Sequence, residues 1–411
     1  MTKSTDNTFD LIIVGGGMVG ASLALALADS SMNIALIDQG SLEPEPVQLP
    51  SPFSPRVSAL TEASVNLFKN LGVWQAMTLQ RVCPYQAITV WDGEGTGEIH
   101  FDASSVARDS IGYIVENCVI RNALLAGLSK TPITLYEKEA GIRFQLDHDK
   151  GTLILANGQQ LQGKLLVAAD GAESSLRNAA NIPLSRKDYM HHAIVTTVET
   201  EQYHQDTAWQ VFLDTGPLAF LPLPSINNKH YCSIVWSLVP ESAETIMGLD
   251  DNAFCQALET AFEARLGTVI HADPRFRYPL CQRHAQQYYQ NPVVLAGDAA
   301  HTIHPLAGQG VNLGLMDVAV LTEELLRAKR RQDDIAGSHI LGRYQRRRKG
   351  HNMTMMGAMS GFQNLFATDD IAVRWLRNTG LKAFNKLPLI KDLLIRQAIG
   401  TYGELPELVK N

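Results

Sequence analysis

The sequence predicts an α/β fold, in which a domain with a parallel sheet is joined to an antiparallel β-sheet domain and a C-terminal helical segment. Three observations lead to this prediction. Short apolar runs end in glycine-rich turns, a middle stretch alternates apolar and polar residues, and a basic tail is rich in large apolar side chains. The 411 residues, 45% of them hydrophobic, suffice for two or three domains with a large core.

The overall composition excludes several classes of protein. The formal net charge of −7 argues against a nucleic-acid partner held by phosphate attraction. The five cysteines are scattered and the histidine clusters lack further ligands at suitable spacing, so we expect neither a disulfide framework nor a metal site. No window of about 18 uninterrupted apolar residues is present, so no transmembrane helix is predicted. We therefore expect a cytoplasmic protein.

The first forty residues contain a strand, a glycine turn, a helix and a second strand in order. The apolar run 11–14 is followed by Gly15, Gly17 and Gly20 in the spacing G-x-G-x-x-G, and the second strand ends in Asp38. A glycine pattern alone is weak evidence. In this full context it predicts a Rossmann-like dinucleotide-binding unit.

Each position of this unit has a physical role in holding a dinucleotide. The first glycine permits a tight turn, the second lets the backbone approach a pyrophosphate, and the third lets helix and strand pack closely. The helix begins at Met18 and Val19, where unpaired N–H groups attract phosphate. Asp38 can accept both ribose hydroxyl protons and disfavours a 2′-phosphate, so the nucleotide is FAD or NAD rather than NADP.

Three later segments extend the pattern. Two apolar runs end in an aspartate and a glycine, in LLVAADG at 165–171 and VVLAGDAAH at 293–301. The sequence GQGVNLG at 308–314 then begins a helix predicted over 311–327, whose apolar residues share one face.

In this order the motifs resemble those of the flavoprotein aromatic hydroxylases, which are single-component FAD monooxygenases of the para-hydroxybenzoate hydroxylase (GR2) fold. The resemblance covers nearly the whole chain and selects FAD as the cofactor. It implies that Gly297 and Asp298 hold the FAD ribityl chain. It also implies that backbone N–H groups of Gly310, Val311 and Asn312 face the flavin, where a helix N-terminus stabilises negative charge.

The same resemblance assigns further contacts to the dinucleotide. Asp170 and Gly171 are expected to contact FAD and the pyridine nucleotide, with support from Arg177. Arg56 is expected to lie along the FAD, and Arg121 to reach its phosphate or ribityl region.

The expected catalytic residues are Pro305, His304 and Gly310, and His301 is expected to help shape the flavin pocket. No serine, histidine and aspartate arrangement for nucleophilic catalysis is visible in the sequence. In a flavin monooxygenase the cofactor supplies the electrophile, so the protein needs to position the substrate and exclude water.

A closer resemblance is to the hydroxylases of ubiquinone biosynthesis, on segments 71–74, 114–117, 191–193, 234–238 and 301–314. The segments between 192 and 238 are most similar to the branch that hydroxylates C5 of 2-polyprenylphenol. The resemblance implies ring hydroxylation of a polyprenylated phenol, with NAD(P)H as transient reductant and O₂ as co-substrate, through a C4a-hydroperoxyflavin.

Other functions stay open from the sequence. Hydroxylation could occur at C1 or C6 of a ubiquinone precursor, or the chain could be a flavin dehydrogenase or oxidase. A different class is a noncatalytic, FAD-holding scaffold of a biosynthetic complex.

The predicted domains are discontinuous. Residues 1–82, 104–182 and 283–352 are assigned to the FAD-binding domain, 83–103 and 183–282 to the substrate-binding β-sheet domain, and 353–411 to the C-terminal helical region. Strands are predicted within 192–238 because these residues alternate or are β-branched. Bulky apolar residues of these strands are the substrate-binding candidates: Phe212, Phe220, Leu221, Pro222 and Trp236.

The tail separates charge from the rest of the chain. Residues 341–400 hold eleven basic and three acidic residues, a surplus of eight positive charges. The basic run at 343–349 is predicted to be a solvated helix face. Residues 371–400 are expected to contact the inner membrane surface or the biosynthetic complex, or else to pack on protein. The oligomeric state stays open.

Overall fold

The structure is a computed structural model that describes residues 7–45, 53–303, 310–366 and 404–410. The predicted catalytic residues His304 and Pro305 and the predicted membrane-contact segment 371–400 lie outside these ranges. Within the described residues, no helix has both the length and the apolarity needed to cross a bilayer.

Helices and strands alternate in the first part of the chain, and strands dominate its middle. The strands are β1 Thr8–Val14, β2 Ile34–Ile37, β3 Val57–Leu60, β4 Val82–Tyr85, β5 Ala87–Asp92, β6 Glu98–Asp102, β7 Gly112–Glu116, β8 Thr134–Tyr136, β9 Arg143–Leu146, β10 Gly151–Ile154, β11 Gln160–Ala168, β12 Leu184–Thr200, β13 Thr207–Leu213, β14 Gly216–Ile226, β15 Lys229–Leu238, β16 Val269–Ala272, β17 Phe276–Ala285, β18 Tyr289–Gln290, β19 Val293–Leu295 and β20 His301–Thr302. The helices are α1 Met18–Ala26, α2 Glu62–Asn70, α3 Trp74–Thr78, α4 Asn117–Leu128, α5 Ser175–Ala179, α6 Pro240–Met247, α7 Asp251–Ala261, α8 Gly310–Arg331 and α9 Ser338–Phe366, with 3-10 helices at Ala103–Val106, Gly297–Ala299 and Glu407–Val409.

The first sheet has the strand order β18-β19-β11-β1-β2-β8, with β10 and β9 added on the side of β11. Strands β19, β11, β1, β2 and β8 run parallel. Every residue from Leu11 to Val14 is buried, as expected for a parallel strand covered on both faces. The glycine motif therefore lies at the carboxyl end of a central strand, as the sequence predicts.

The second sheet has the order β20-β17-β12-β15-β14-β13-β5-β6, with β16 beside β12, and its strands are largely antiparallel. One face packs on α6 and α7 in a separate apolar core. A small sheet, β3-β7-β4, lies with its side chains against the other face. The prediction of an α/β fold with an antiparallel second sheet and a C-terminal helix is confirmed.

The predicted domain boundaries stay predictions, and four elements run across them. The 3-10 helix Ala103–Val106 crosses the boundary at 103/104. Strands β4 and β17 cross the boundaries at 82/83 and 282/283, and α9 continues through 352/353. Strands β5 and β6 join the second sheet although they precede it by about 80 residues in the chain.

A buried carboxylate on α8 joins the end of β19 to α9. Asp317 has no exposed surface. It accepts hydrogen bonds from the backbone N of Gly297 (3.0 Å), from Nε2 of His301 (2.5 Å), from Nε of Arg348 (2.6 Å) and from Nδ2 of Asn352 (3.3 Å). Burial by itself raises the pKa of Asp317, but His301 and Arg348 hold this pKa well below its ordinary value. The carboxylate is thus charged and fixes three segments of the chain at one point.

The interpretation of the basic run 343–349 as a solvated face is wrong for most of its arginines. Arg348 is 2% exposed because it pairs with Asp317. Arg343 and Arg347 both pair with Glu324, which is itself fully buried on α8. These arginines lie on the side of α9 that faces α8. The local sequence around residues 343–349 does not reveal that α8 packs there.

We predict that Asp317→Asn lowers the free energy of unfolding of the apoprotein by about 3 kcal/mol at pH 7, because Arg348 then keeps its charge without a buried counter-charge. Urea denaturation measures the change. The matched control is Asp29→Asn at an exposed position after α1, which should change the free energy by less than about 0.5 kcal/mol.

The pH dependence follows from the lowered pKa of Asp317. Its stabilising effect is fully present above the unfolded-state pKa of about 3.9 and is lost as the pH falls through the lower folded-state value. The difference between the wild type and Asp317→Asn should therefore shrink below about pH 4. Equal free energies of unfolding for the wild type and Asp317→Asn at pH 7 would contradict the stabilising role of the Asp317 carboxylate.

Candidate functional site

A cavity of about 440 Å³ lies between the two large sheets. Its walls come from the turn between β1 and α1, the start of β3, the residues after β11 and β19, the start of α8, and one face of the second sheet. Predicted cofactor residues in the wall are Gly17, Met18, Val19, Arg56, Gly171, Asp298, Gly310 and Val311, and the one substrate candidate there is Leu221.

The three motif glycines divide into two kinds in the structure. A Cβ on Gly15 would lie 2.2 Å from the carbonyl oxygen of Ala169, and one on Gly20 would lie 1.9 Å from that of Gly15. These two glycines are required for close packing of β1, β11 and α1. A Cβ on Gly17 would meet no atom within 4 Å, because the position opens into the cavity. The space beside Gly17 suits a bound pyrophosphate at the N-terminus of α1.

Asp38 lies at the end of β2 and faces the glycine turn. Its carboxylate accepts hydrogen bonds from the backbone N of Gly16 at 2.5 Å and of Gly40 at 2.6 Å. Each oxygen keeps a further lone pair. The turn and the acid are therefore held together in the arrangement that ribose binding requires.

Asp298 is the one exposed residue in the buried run 292–300, and its accessible surface is part of the cavity wall. Although its surface opens into the cavity, Asp298 lies deep in the molecule, and this desolvation raises its pKa above the ordinary value even though His301, Arg56 and Arg283 act to lower it. Arg56 and Arg283 line the same cavity. A carboxyl group that opens into a cavity also lined by two cations is suited to hold the hydroxyl groups of a bound ligand.

Helix α8 contributes its first turn to the cavity through Gly310 and Val311. The side chain of Asn312 has a different role. Its Oδ1 accepts a hydrogen bond from Oγ of Ser64 at 2.7 Å, and its Nδ2 donates to the carbonyl of Ala59 at 2.8 Å. Asn312 thus fixes the start of α8 against β3 and α2, and only its backbone is available to a ligand.

Asp170 and Arg177 hold the segment after β11. One oxygen of Asp170 accepts hydrogen bonds from the backbone N of Ser175 (2.8 Å) and Leu176 (3.3 Å), while the other is buried without a hydrogen-bond partner among the described residues. Arg177 is 2% exposed and donates to the carbonyls of Ala172 and Ala299, both at 3.0 Å. Arg177 therefore supports the loops of both Asp170 and Asp298, and is itself away from the cavity wall.

Two other predicted residues lie outside the cavity wall. Arg121 donates to the backbone carbonyl of Ser41, in the loop that follows β2. His301 is 2% exposed and bonded to Asp317, so it supports the loop instead of lining the pocket. The contact of Arg121 with FAD stays a prediction.

Most of the substrate candidates lie on the face of the second sheet that points away from the cavity. Phe220 and Trp236 pack in the core under α6 and α7, and Phe220 stacks on Phe262 at 3.8 Å. Pro222 alternates with Leu221 along β14 and is absent from the cavity wall. Phe212 shares the face of Leu221 but packs against Ile99, away from the cavity. Neighbouring residues of a strand point to opposite faces, and the bulky residues Phe220 and Trp236 belong to the face that the helices cover.

The residues that the sequence analysis missed are mostly small. The sheet face that lines the cavity contains Ala193, Val195, Ser233 and Val235 in addition to Leu221, and β17 adds Tyr278, Pro279, Leu280, Cys281 and Arg283. In the sequence, the alternation of residues along 193–195 and 233–235 is the feature that indicates a shared face for these positions. Small residues at these alternate positions leave room for a ligand.

Comparisons with known proteins agree with this geometry. The family described as FAD binding domain matches residues 8–358. The chain is 36% identical over 397 residues to the 3-demethoxyubiquinol 3-hydroxylase of Escherichia coli, which covers 96% of this chain and 100% of that protein. It is 35% identical over 408 residues to the ubiquinone hydroxylase UbiL of Rhodospirillum rubrum, and this match covers 99% of this chain and 93% of that protein. The crystal structure of p-nitrophenol 4-monooxygenase PnpA from Pseudomonas putida is similar with a TM-score of 0.75 at 19% identity, over 97% and 100% of the two chains.

The structural similarity supports the fold, and the sequence matches show the family. FAD fits the residues present, because Gly17 leaves open space at a helix N-terminus and Asp298 directs a carboxylate into the same cavity. The chain therefore belongs to the FAD-binding-domain family and is an FAD-dependent monooxygenase related to the hydroxylases of ubiquinone biosynthesis.

Proposed function

We propose that the chain hydroxylates the aromatic ring of a polyprenylated phenol in ubiquinone biosynthesis, at C5 of 2-polyprenylphenol, with NAD(P)H and O₂ as co-substrates. The observation that carries the proposal is one cavity with two kinds of wall. Charged and backbone groups suited to FAD lie on one side, and the apolar face of the second sheet lies on the other. Full-length similarity to hydroxylases of this pathway supports the choice of substrate class.

The chain's own residues hold the cofactor and its surroundings. Gly17 and the N-terminus of α1 hold the pyrophosphate, Asp38 the ribose and Asp298 the ribityl chain. When bound, FAD supplies the oxidation–reduction and oxygen-activating chemistry that a hydroxylation requires. The first turn of α8 presents partial positive charge at the cavity wall, which suits a group that becomes negative on reduction.

The sheet face excludes water from the reacting groups. Val195, Leu221 and Val235 present apolar side chains to the cavity. An aromatic ring packed on this wall would displace water from the cavity, and a reaction that transfers oxygen to a ring requires such a dry site. The phenol oxygen activates its own ring, so no protein nucleophile is required.

A second candidate is hydroxylation of another ring carbon, at a later precursor. The relative from Escherichia coli is named a 3-demethoxyubiquinol 3-hydroxylase, and this name favours a more substituted ring. The two candidates use the same cavity and differ in the compound that accumulates when the protein is missing. The membrane contact of residues 371–400 stays a prediction.

We predict that Gly17→Val yields a folded protein without bound FAD. The added Cβ meets no protein atom within 4 Å, and the valine side chain occupies the space beside the helix N-terminus. The absorbance of the purified protein reports bound flavin, and circular dichroism reports folding. Gly350→Val is the matched control, since its added side chain also meets open space but on an exposed face of α9. Full flavin content in Gly17→Val would disprove the assignment of the nucleotide site.

We predict that the holoenzyme incorporates one labelled oxygen from ¹⁸O₂ into the ring of 2-polyprenylphenol and oxidises NAD(P)H faster when the phenol is present. Quinone profiling of cells that lack the protein identifies the ring position, because 2-polyprenylphenol accumulates for C5 and demethoxyubiquinol for the second candidate. Product without ¹⁸O indicates a dehydrogenase or oxidase. Absence of phenol-stimulated NAD(P)H oxidation indicates a noncatalytic scaffold.

A further inference from the structure

Two large aromatic side chains beside the cavity are unusually exposed. Phe276 is 41% exposed and Tyr278 is 38% exposed, and both belong to the part of strand β17 that pairs with β12. Tyr278 lines the cavity wall. Exposed aromatic surface continuous with a binding cavity indicates a ligand-binding groove.

The register of the sheet places both aromatics on the cavity side. Tyr278 pairs with Ala193 and Phe276 pairs with Val195, in an antiparallel ladder. Directly paired residues share a face, and both Ala193 and Val195 line the cavity. Since Phe276 is itself outside the cavity lining, the apolar wall continues past the cavity at this residue.

The charged part of the cavity begins next to Tyr278. The guanidinium of Arg56 lies 5.8 Å from the centre of the Tyr278 ring, and Arg56 also contributes to the electrostatic surroundings of Asp298. Along this wall the charged side chain of Arg56 is followed by the aromatic ring of Tyr278. The next aromatic ring on the same face, that of Phe276, is exposed to solvent. A ligand bound along this wall has one polar part and one extended apolar part.

We infer that Val195, Tyr278 and Phe276 form an apolar tail route, which takes the polyprenyl chain of the substrate from the cavity to the surface of the protein. The inference rests on the proposed function and names the part of the substrate that these residues recognise. The aromatic ring stays in the cavity, and the isoprene units cover Tyr278 and Phe276. Removing the CH₂ groups of the isoprene units from water is favourable, so the route favours tailed over tail-less phenols.

The test compares 2-geranylphenol with the tail-less 2-methylphenol as substrates of the holoenzyme. Phe276→Asp, which places a charge on the route, should raise the KM for 2-geranylphenol about tenfold with kcat within twofold. The KM for 2-methylphenol should change less than twofold. Phe276→Leu keeps an apolar surface and should stay within threefold of the wild type for both compounds. The matched control Leu79→Asp places the same charge on another exposed apolar residue, which is 78% accessible and outside the cavity wall, and should leave both KM values unchanged.

Binding of geranylgeraniol to the holoenzyme, measured by equilibrium dialysis, tests the route without catalysis. Phe276→Asp should weaken this binding about tenfold, and Leu79→Asp should not. If Phe276→Asp and Leu79→Asp behave alike in both assays, the tail route is overturned. If the holoenzyme binds geranylgeraniol in a manner dependent on Phe276 but hydroxylates no phenol, the route is supported and the proposed function fails.

Discussion

The buried carboxylate of Asp317 on α8 receives hydrogen bonds from two other parts of the chain, and the site depends on this convergence of three segments. Gly297 and His301 belong to the loop after β19, and Arg348 to α9. A charge without access to water is stable only when its counter-charges and donors are fully in place, so the loop has little freedom to move. Asp298 follows Gly297 directly and is held facing the cavity. The geometry of cofactor binding therefore depends on a residue that does not touch the cavity.

The rest of the site is built in the same way, with supporting residues behind each contact residue. Arg177 joins the loop of Asp170 to the loop of Asp298 through two backbone carbonyls. Asn312 fixes the start of α8 against β3 and α2. The carboxylate of Asp38 accepts a hydrogen bond from the backbone N of Gly16 in the glycine turn. Catalysis by a bound cofactor requires its position to be maintained against thermal motion, and these polar contacts, most of them to backbone groups, provide the restraint.

The sequence predicted the nucleotide unit well and the substrate wall poorly, for physical reasons. The glycine turn, the following helix and Asp38 are local, since a strand, a turn and a helix within thirty residues determine their geometry. Asp317 and Arg348 are 31 residues apart on two helices, and no local pattern indicates that they pair. On the sheet, alternation reveals two faces but does not say which one is covered by helices. The sequence therefore favours the bulky Phe220 as a substrate contact, whereas the structure shows Val235 in the cavity wall.

The most direct test of the central claim is the affinity of the apoprotein for FAD when the Asp317 carboxylate is neutralised. Titration of FAD into Asp317→Asn is followed by flavin fluorescence, at a temperature where circular dichroism shows the variant to be folded. With Asp298 still present, we expect the dissociation constant to rise at least tenfold, because the loop that presents Asp298 is no longer fixed. An affinity equal to that of the wild type would contradict the account.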